Sequence, residues 1–331
     1  MSETLDFRAL PKAEVHVHLE GCFGLDLIEP LAAQAGEPLP VAREDFFRFE
    51  GLAEFLKRLD WMCSLFRDAR AVSDLAYDFA RRLAADGTLY ADVIVNPTHW
   101  GQWRRDVAGF LRALDHGFAA AERDGLPSAG LCVSVLRQQS AQEAIELVEL
   151  LAELRLPSVK ALSVDGNEAA AGRTGPRFAQ AFRRAGAVGL KRTVHAGESS
   201  GPEGVRDALD WLGADRIDHG VRAVEDPALT AQLAERRIPL GICPTSNLTL
   251  GLYAKLSEHP IDRLRRAGVP VSVNTDDPEL LGVDLPTEYA RAAAAFGWDR
   301  EICRAVAATS IQASFADESV KADLRARLAA W

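Results

Sequence analysis

Glu14-Val15-His16-Val17-His18-Leu19-Glu20-Gly21 is the stretch on which the fold turns. Val15, Val17 and Leu19 alternate with His16 and His18, which is the period of a β-strand, so both imidazoles point to one side. Two rings buried on an inner face need two polar partners, and one divalent metal ion supplies both. The stretch therefore reads as a strand that delivers ligands to a point.

Similar β-type runs recur outward from it, at 13–19, 89–96, 130–137, 159–164, 190–195, 216–218, 238–243 and 270–274. Between them lie stretches of helical period, such as 142–154, 204–212, 227–236 and 261–267, several closed by Gly. Eight strand–helix units predict a parallel sheet closed into a (β/α)8 TIM barrel, one domain over residues 1–331. About seventy residues separate the first two runs, far beyond an ordinary connection. They carry Phe46, Phe47, Phe49, Phe55, Trp61, Phe66, Tyr77 and Phe79. This predicts a helical insertion over about 25–85, lying across the barrel face where active sites form and serving as a substrate lid. Its aromatic stripe reads chiefly as core.

The 331 residues carry a formal net charge of −10, and 48% of them are hydrophobic. The acidic balance argues against nucleic acid and against anionic membrane surfaces as partners, and favours a small-molecule substrate. The five cysteines show no Cys-x-x-Cys spacing and sit mostly in apolar runs, as reduced cysteines of a cytoplasmic protein do. No targeting segment or bilayer-length run is evident, so a soluble, cytoplasmic protein is expected. Nothing in the pattern sets the oligomeric state.

Four of the seven histidines, His16, His18, His195 and His219, fall at strand ends, which converge on one pocket in a barrel. The eighth run ends in Asn274-Thr275-Asp276-Asp277-Pro278, where two adjacent carboxylates call for a cation. His16, His18, His195 and Asp276 make a three-nitrogen, one-oxygen set suited to zinc with a position left for water. Glu198 follows His195 by three residues, and a desolvated Glu there can stay protonated and act as an acid. His219 could bind metal, or could orient and deprotonate water. Blander readings stand beside these. Glu198 could be a helix-start carboxylate, Asp277 a turn residue before Pro278, and Glu20 structural. His99, His116 and His259 read as loop or surface residues, and Cys22 as packing.

Taken together, His16-Val-His18-Leu-Glu20-Gly21, His195-Ala-Gly-Glu198, Asp218-His219-Gly220, Cys243-Pro-Thr-Ser-Asn247 and Asn274-Thr-Asp276-Asp277-Pro278 resemble, in order, the motifs of the adenosine and adenine deaminase family of metal-dependent hydrolases. The resemblance implies one zinc ion on His16, His18, His195 and Asp276, with Asp276 also orienting the attacking water. It implies that His219 takes the water's proton and that Glu198 protonates purine N1. Asp277 would meet N7, the backbone N–H of Gly166 would face N3, and Glu20 would contact the ribose side. The implied reaction is hydrolytic deamination of a 6-aminopurine nucleoside, adenosine to inosine and ammonia foremost. Alternatives are deamination of adenine to hypoxanthine, or of an aminofutalosine-type nucleoside. More remote ones are another mononuclear amidohydrolase or a non-catalytic binding protein.

Departures from the family pattern bear on the substrate. Glu20 stands where many adenosine-specific members have Asp, the second run lacks their Glu-x-Arg, and Gly166-Asn167-Glu168 replaces Gly-Asp-Glu. Binuclear relatives bridge their metals with a modified lysine ending the fourth strand, whereas Lys160 lies at that strand's opposite end. The signature of cytidine-type zinc deaminases, a dinucleotide fingerprint and a phosphate loop are all absent.

Overall fold

The computed structural model describes residues 5–331. Eight strands, β1 Lys12–His18, β2 Thr88–Val95, β3 Ser128–Leu136, β4 Val159–Asp165, β5 Lys191–Ala196, β6 Arg216–His219, β7 Leu240–Ile242 and β8 Val271–Val273, pair in sequence order. Every pairing is parallel. The ring comes round where β8 runs past β1. His18 N–H donates to Asp276 O at 2.7 Å and Asp276 N–H to His16 O at 3.3 Å, a parallel bridge between Val17 and Asp276. The Asn274 side chain also accepts from Val15 N at 2.8 Å. This is a (β/α)8 TIM barrel, and closing it sets the Asp276 backbone against the His-x-His strand.

All eight strands lie within two residues of their expected bounds, and the helices Ala141–Leu154, Pro202–Asp210, Pro227–Glu235 and Ile261–Arg266 match their periodic text. The alternation in β1 does not separate a buried face from an exposed one: of its seven residues, only His18 escapes full burial. Strands of a parallel barrel are covered by helices on one face and filled by side chains on the other, so both faces leave water.

The excursion between β1 and β2 holds three helices, Leu25–Ala35, Leu52–Ser64 and Ala69–Ala85. The third packs on β2 and on the helix Val107–Arg123, as a barrel helix does, so the added part is the first two. The helix Leu52–Ser64 rests on the loops after β1 and β2. Gln102 Nε2 donates to Cys63 O at 2.9 Å, Trp103 Nε1 to Phe66 O at 2.7 Å, and the His99 ring meets Asp60 at 2.8 Å. Phe23, Phe66, Trp100 and Phe110 pack beneath it, each ring on the next, with centroids 4.8–5.6 Å apart. Each such ring contributes about 1.5–3 kcal/mol by leaving water. Of the aromatic stripe itself, Phe46, Phe66 and Phe79 are buried, and Phe47, Phe49, Phe55 and Trp61 pack half-buried against the core.

The five cysteines are buried and unpaired. Lys160 turns outward to Asp317 at 3.1 Å, away from the strand ends. Among the described residues no helix is long and apolar enough to cross a membrane.

Candidate active site

The strand ends bring His16, His18, His195 and Asp276 to one point. His195 Nε2 lies 3.1 Å from His16 Nε2 and 3.0 Å from His18 Nε2. Asp276 Oδ1 lies 3.3 Å and 3.4 Å from the same two histidine nitrogens. A tetrahedron with bonds of about 2.0–2.1 Å has edges of about 3.3 Å, so these four separations suit one zinc-sized ion. His16 Nδ1 donates to Gly241 O at 2.8 Å, which leaves its Nε2 lone pair facing the point. Burial pushes the His16 pKa down, but the Asp276 and Asp218 carboxylates outweigh it and lift it to about 9. The cluster thus demands a positive charge at its centre, and a cation supplies it without setting N–H against N.

His219 stands at the edge of this set. Donor atoms of His16, His195, His219 and Asp276 all lie within 4.8 Å of one another. Its Nε2 is 3.3 Å from Glu198 Oε1 and 3.8 Å from Asp276 Oδ2, so it faces the space between those two carboxyl groups. Burial and the charge of His16 push its pKa down to about 3. Two non-glycine residues here hold left-handed backbone, His219 at φ 66° and Asp276 at φ 70°. Such conformations cost about 1–2 kcal/mol and persist where surrounding structure imposes them.

Glu198 keeps 16% exposure of its side chain at the pocket. Desolvation, reinforced by Asp276 and Glu168, raises its pKa to about 8, so it carries its proton at neutral pH. Asp277 sits at the start of the short helix Pro278–Leu281, with Oδ1 buried and without a hydrogen-bond partner. Burial and the adjacent Asp276 push its pKa up. A side chain on Gly21 would collide with the Asp277 carboxylate, which is why the first motif ends in glycine. Glu20 is 1% exposed; its Oε1 accepts from Asn96 N and Trp100 Nε1, each at 2.8 Å, while Oε2 has no partner. Gly166, at φ 97°, lies farther out, tied to the site through Arg137 Nε, which donates to Gly166 O at 3.0 Å.

Four residues enter to which the sequence reading assigned no part in the site. Glu168 and Arg137 brace the loop after β5, and Asp218 lies behind His195. His259, expected at the surface, is 2% exposed and faces Asn247, which in turn faces His219. The loop after β7 folds inward to bury it. Asn247 was visible within Cys243-Pro-Thr-Ser-Asn247, but nothing local to His259 signals its place.

A (β/α)8 barrel whose strand ends converge three histidines and an aspartate, with a protonated glutamate beside them, defines a metal-dependent hydrolase. The model of the adenosine deaminase family matches residues 11–331. The chain belongs to that family and is a deaminase. It is 37% identical to an aminodeoxyfutalosine deaminase of Streptomyces avermitilis over 97% of this chain and 92% of that one. It is 36% identical to an adenine deaminase of Streptomyces coelicolor over 96% and 93%. The solved structure of an amidohydrolase from Burkholderia ambifaria with bound zinc superposes with a TM-score of 0.90 at 29% identity, covering all of this chain and 93% of that one.

Proposed function

We propose that this enzyme hydrolytically deaminates a 6-aminopurine, and that adenine or an aminodeoxyfutalosine-type nucleoside is its substrate ahead of adenosine. The observation that carries the reading is the company it keeps: relatives at 36–37% identity over nearly the whole chain are aminodeoxyfutalosine and adenine deaminases. Glu20 supports it. Its longer side chain is drawn under Trp100, and its one uncommitted oxygen offers an acceptor to an N–H or O–H on the imidazole side of the purine. This revises the expectation of adenosine as the foremost substrate.

His16, His18, His195 and Asp276 hold the metal, taken to be zinc. A zinc ion there supplies the Lewis acidity that makes water nucleophilic near neutral pH. His219 and the second oxygen of Asp276 hold the attacking water, and Asp276 receives the proton it gives up. Glu198 delivers its proton to N1, which draws electrons from C6 as water adds there. The proton on Asp276 then passes to the amino nitrogen as the C6–N bond breaks, ammonia leaves, and the C6 hydroxyl proton returns to Glu198 as the 6-oxo group forms. Asp277 meets N7 and the Gly166 N–H meets N3, fixing the ring plane between the two faces. The helices Leu25–Ala35 and Leu52–Ser64 exclude water from above.

The test is a parallel assay of the zinc-loaded enzyme on adenine, aminodeoxyfutalosine and adenosine, followed by loss of the 6-amino absorbance. The expected result is kcat/KM for one of the first two exceeding that for adenosine at least tenfold. A preference for adenosine, or no turnover of any of the three, overturns the reading.

A further inference from the structure

Ile94, Cys132 and Ala161 are register neighbours on β2, β3 and β4 that pack together apart from the helix-covered core, and so fill the barrel. By the alternation of a strand, Asp165 at the end of β4 shares the inward face of Ala161. Asn96, one residue past β2, shares that of Ile94. Asn96 Oδ1 accepts from the Thr98 backbone N–H at 3.1 Å and the Thr98 hydroxyl at 2.7 Å, which turns the amide nitrogen toward Asp165. Asn96 Nδ2 then donates to Asp165 Oδ1 at 2.6 Å, and the Asn96 backbone N–H donates to Glu20 Oε1 at 2.8 Å. One asparagine thus holds two carboxylates side by side at the strand ends.

Each carboxylate commits one oxygen there and keeps the other. Glu20 Oε2 is buried without a partner, and Asp165 Oδ2 takes no hydrogen bond from any described residue. Asp165 is 5% exposed and Glu20 1%, so bulk water barely reaches them, and a buried carboxylate with an idle oxygen costs stability unless a ligand completes it. His99, three residues after Asn96, does not fill that part. Its ring is tied through Nδ1 to Asp60 on the helix Leu52–Ser64, and it makes no bond to either carboxylate.

The position of these oxygens bears on the substrate, given the purine placement proposed above. With N7 toward Asp277 and N3 toward the Gly166 N–H, whatever N9 carries leaves the ring between those two. Asp165 adjoins Gly166, and Gly21, next to Glu20, packs on the Asp277 carboxylate, so both idle oxygens belong to the N9 side. A free base brings one N–H to that edge. A ribose brings two hydroxyls on neighbouring carbons, and an O–H donated to a carboxylate is among the stronger neutral-to-charged hydrogen bonds.

We infer that Asp165 is a specificity-determining residue that accepts a hydrogen bond from a ribose hydroxyl, so that the enzyme takes a 6-aminopurine nucleoside in preference to the free base. Asn96 positions it, with Glu20 as the second acceptor. The inference rests on the deaminase reading and narrows it, setting the nucleoside ahead of adenine.

The test compares the zinc-loaded wild type and Asp165→Ala on adenine, aminodeoxyfutalosine, adenosine, 2′-deoxyadenosine and 3′-deoxyadenosine. In the wild type, kcat/KM for aminodeoxyfutalosine should exceed that for adenine at least tenfold. Loss of one of the two hydroxyls should lower kcat/KM about 10–100-fold relative to adenosine, the range for a hydrogen bond to a charged group. In Asp165→Ala that discrimination should shrink to within about threefold, whereas a merely structural role would slow the nucleosides alike and keep their ratio. Discrimination that survives in the folded, zinc-bound variant overturns the inference. If Asp165→Ala does not fold, the wild type decides: equal turnover of adenosine and both deoxynucleosides overturns it. A wild type that prefers adenine overturns this inference and leaves the deaminase reading standing; one that turns over no 6-aminopurine overturns both.

Discussion

The carboxylate of Glu168 receives the backbone N–H of Glu198 at 2.9 Å, and with it those of Gly197 at 3.0 Å and Ser200 at 3.2 Å. The Ser200 hydroxyl adds a fourth bond at 2.8 Å. From the other side Arg137, just past the end of β3, donates to the carbonyls of His195 and Gly166 and to Thr174 Oγ1. One carboxylate and one guanidinium, both about 4% exposed, thus hold the segment that carries His195 and Glu198.

Glu168→Gln should therefore disturb Glu198 without touching a metal-facing side chain. The amide turns an N–H₂ toward backbone donors, leaving buried groups unpaired at about 1–3 kcal/mol each. A displacement of about 1 Å at a reacting group lowers turnover about 10²-fold. The expected outcome is a kcat reduced by about that factor, with zinc content by elemental analysis equal to that of the wild type. Unimpaired kcat in the variant would refute the bracing role.

Asp218→Asn should weaken metal binding. His195 Nδ1 is buried and without a hydrogen-bond partner, and Asp218 Oδ2 stands 3.7 Å away, its carboxylate held by Thr193 Oγ1 at 2.6 Å and Arg216 Nε at 3.3 Å. With Nε2 committed to the metal, Nδ1 carries the proton, and a carboxylate facing it raises the ring's basicity. Loss of that charge should lower zinc affinity about 10–100-fold in competition with a chromophoric chelator. Chelation of the wild type should lower its Tm as well as abolish turnover, because metal binds only the folded site. Equal zinc affinity in the two proteins would remove Asp218 from the site.

How far the sequence discloses this site depends on the range of each signal. His16 and His18 are legible because a strand's period of two is local, and the alternation survives whatever packs around it. Asp276-Asp277 before Pro278 is legible because unneutralised carboxylates at a strand end are costly. Gly21 is not: its reason is the Asp277 carboxylate, about 250 residues along the chain, which no local pattern exposes. His259 reads as surface beside Pro260 because its partner, Asn247, is reached only once the loop after β7 has folded back. The insertion expected over about 25–85 takes in Ala69–Ala85 for a similar reason: Gly36, Pro38, Pro40 and Gly51 break the helical text, but nothing local tells an added helix from one that packs on the barrel.

Glu288 gives a stability signal that is separate from turnover. Its Oε1 accepts from Thr245 N at 3.0 Å, Oε2 is buried without a partner, and burial raises its pKa to about 7 from the ordinary 4.5. In the folded state it keeps its proton where the unfolded chain has lost it. Stability from this group is therefore unaffected below about pH 4.5, falls as pH rises toward 7, and stays reduced above that. The full effect is at most about 3 kcal/mol. Glu288→Gln keeps the acceptor and cannot ionise, so the variant should gain on the wild type in urea unfolding between about pH 5 and about pH 8. A gap that stays constant over that range would show that Glu288 does not titrate there.

Glu198→Gln is the sharpest test of the chemistry. The substitution keeps the side chain's length and its place 3.3 Å from His219 Nε2, and it touches none of the four atoms that surround the metal position. What it removes is an acidic proton. Because desolvation holds the Glu198 pKa up at about 8, the protonated form is fully populated below that pH and declines as pH rises through it. The wild-type kcat/KM should accordingly show an alkaline limb near pH 8, and the variant, with no proton to lose, should show none. Its turnover should fall about 10²–10⁴-fold at every pH below the limb, the range that general acid catalysis contributes. Zinc content should be unchanged. A variant that retained near-normal kcat, or one that kept the alkaline limb, would assign the proton on N1 to another group, and His219, with its Nε2 toward the same space, would be the first to examine.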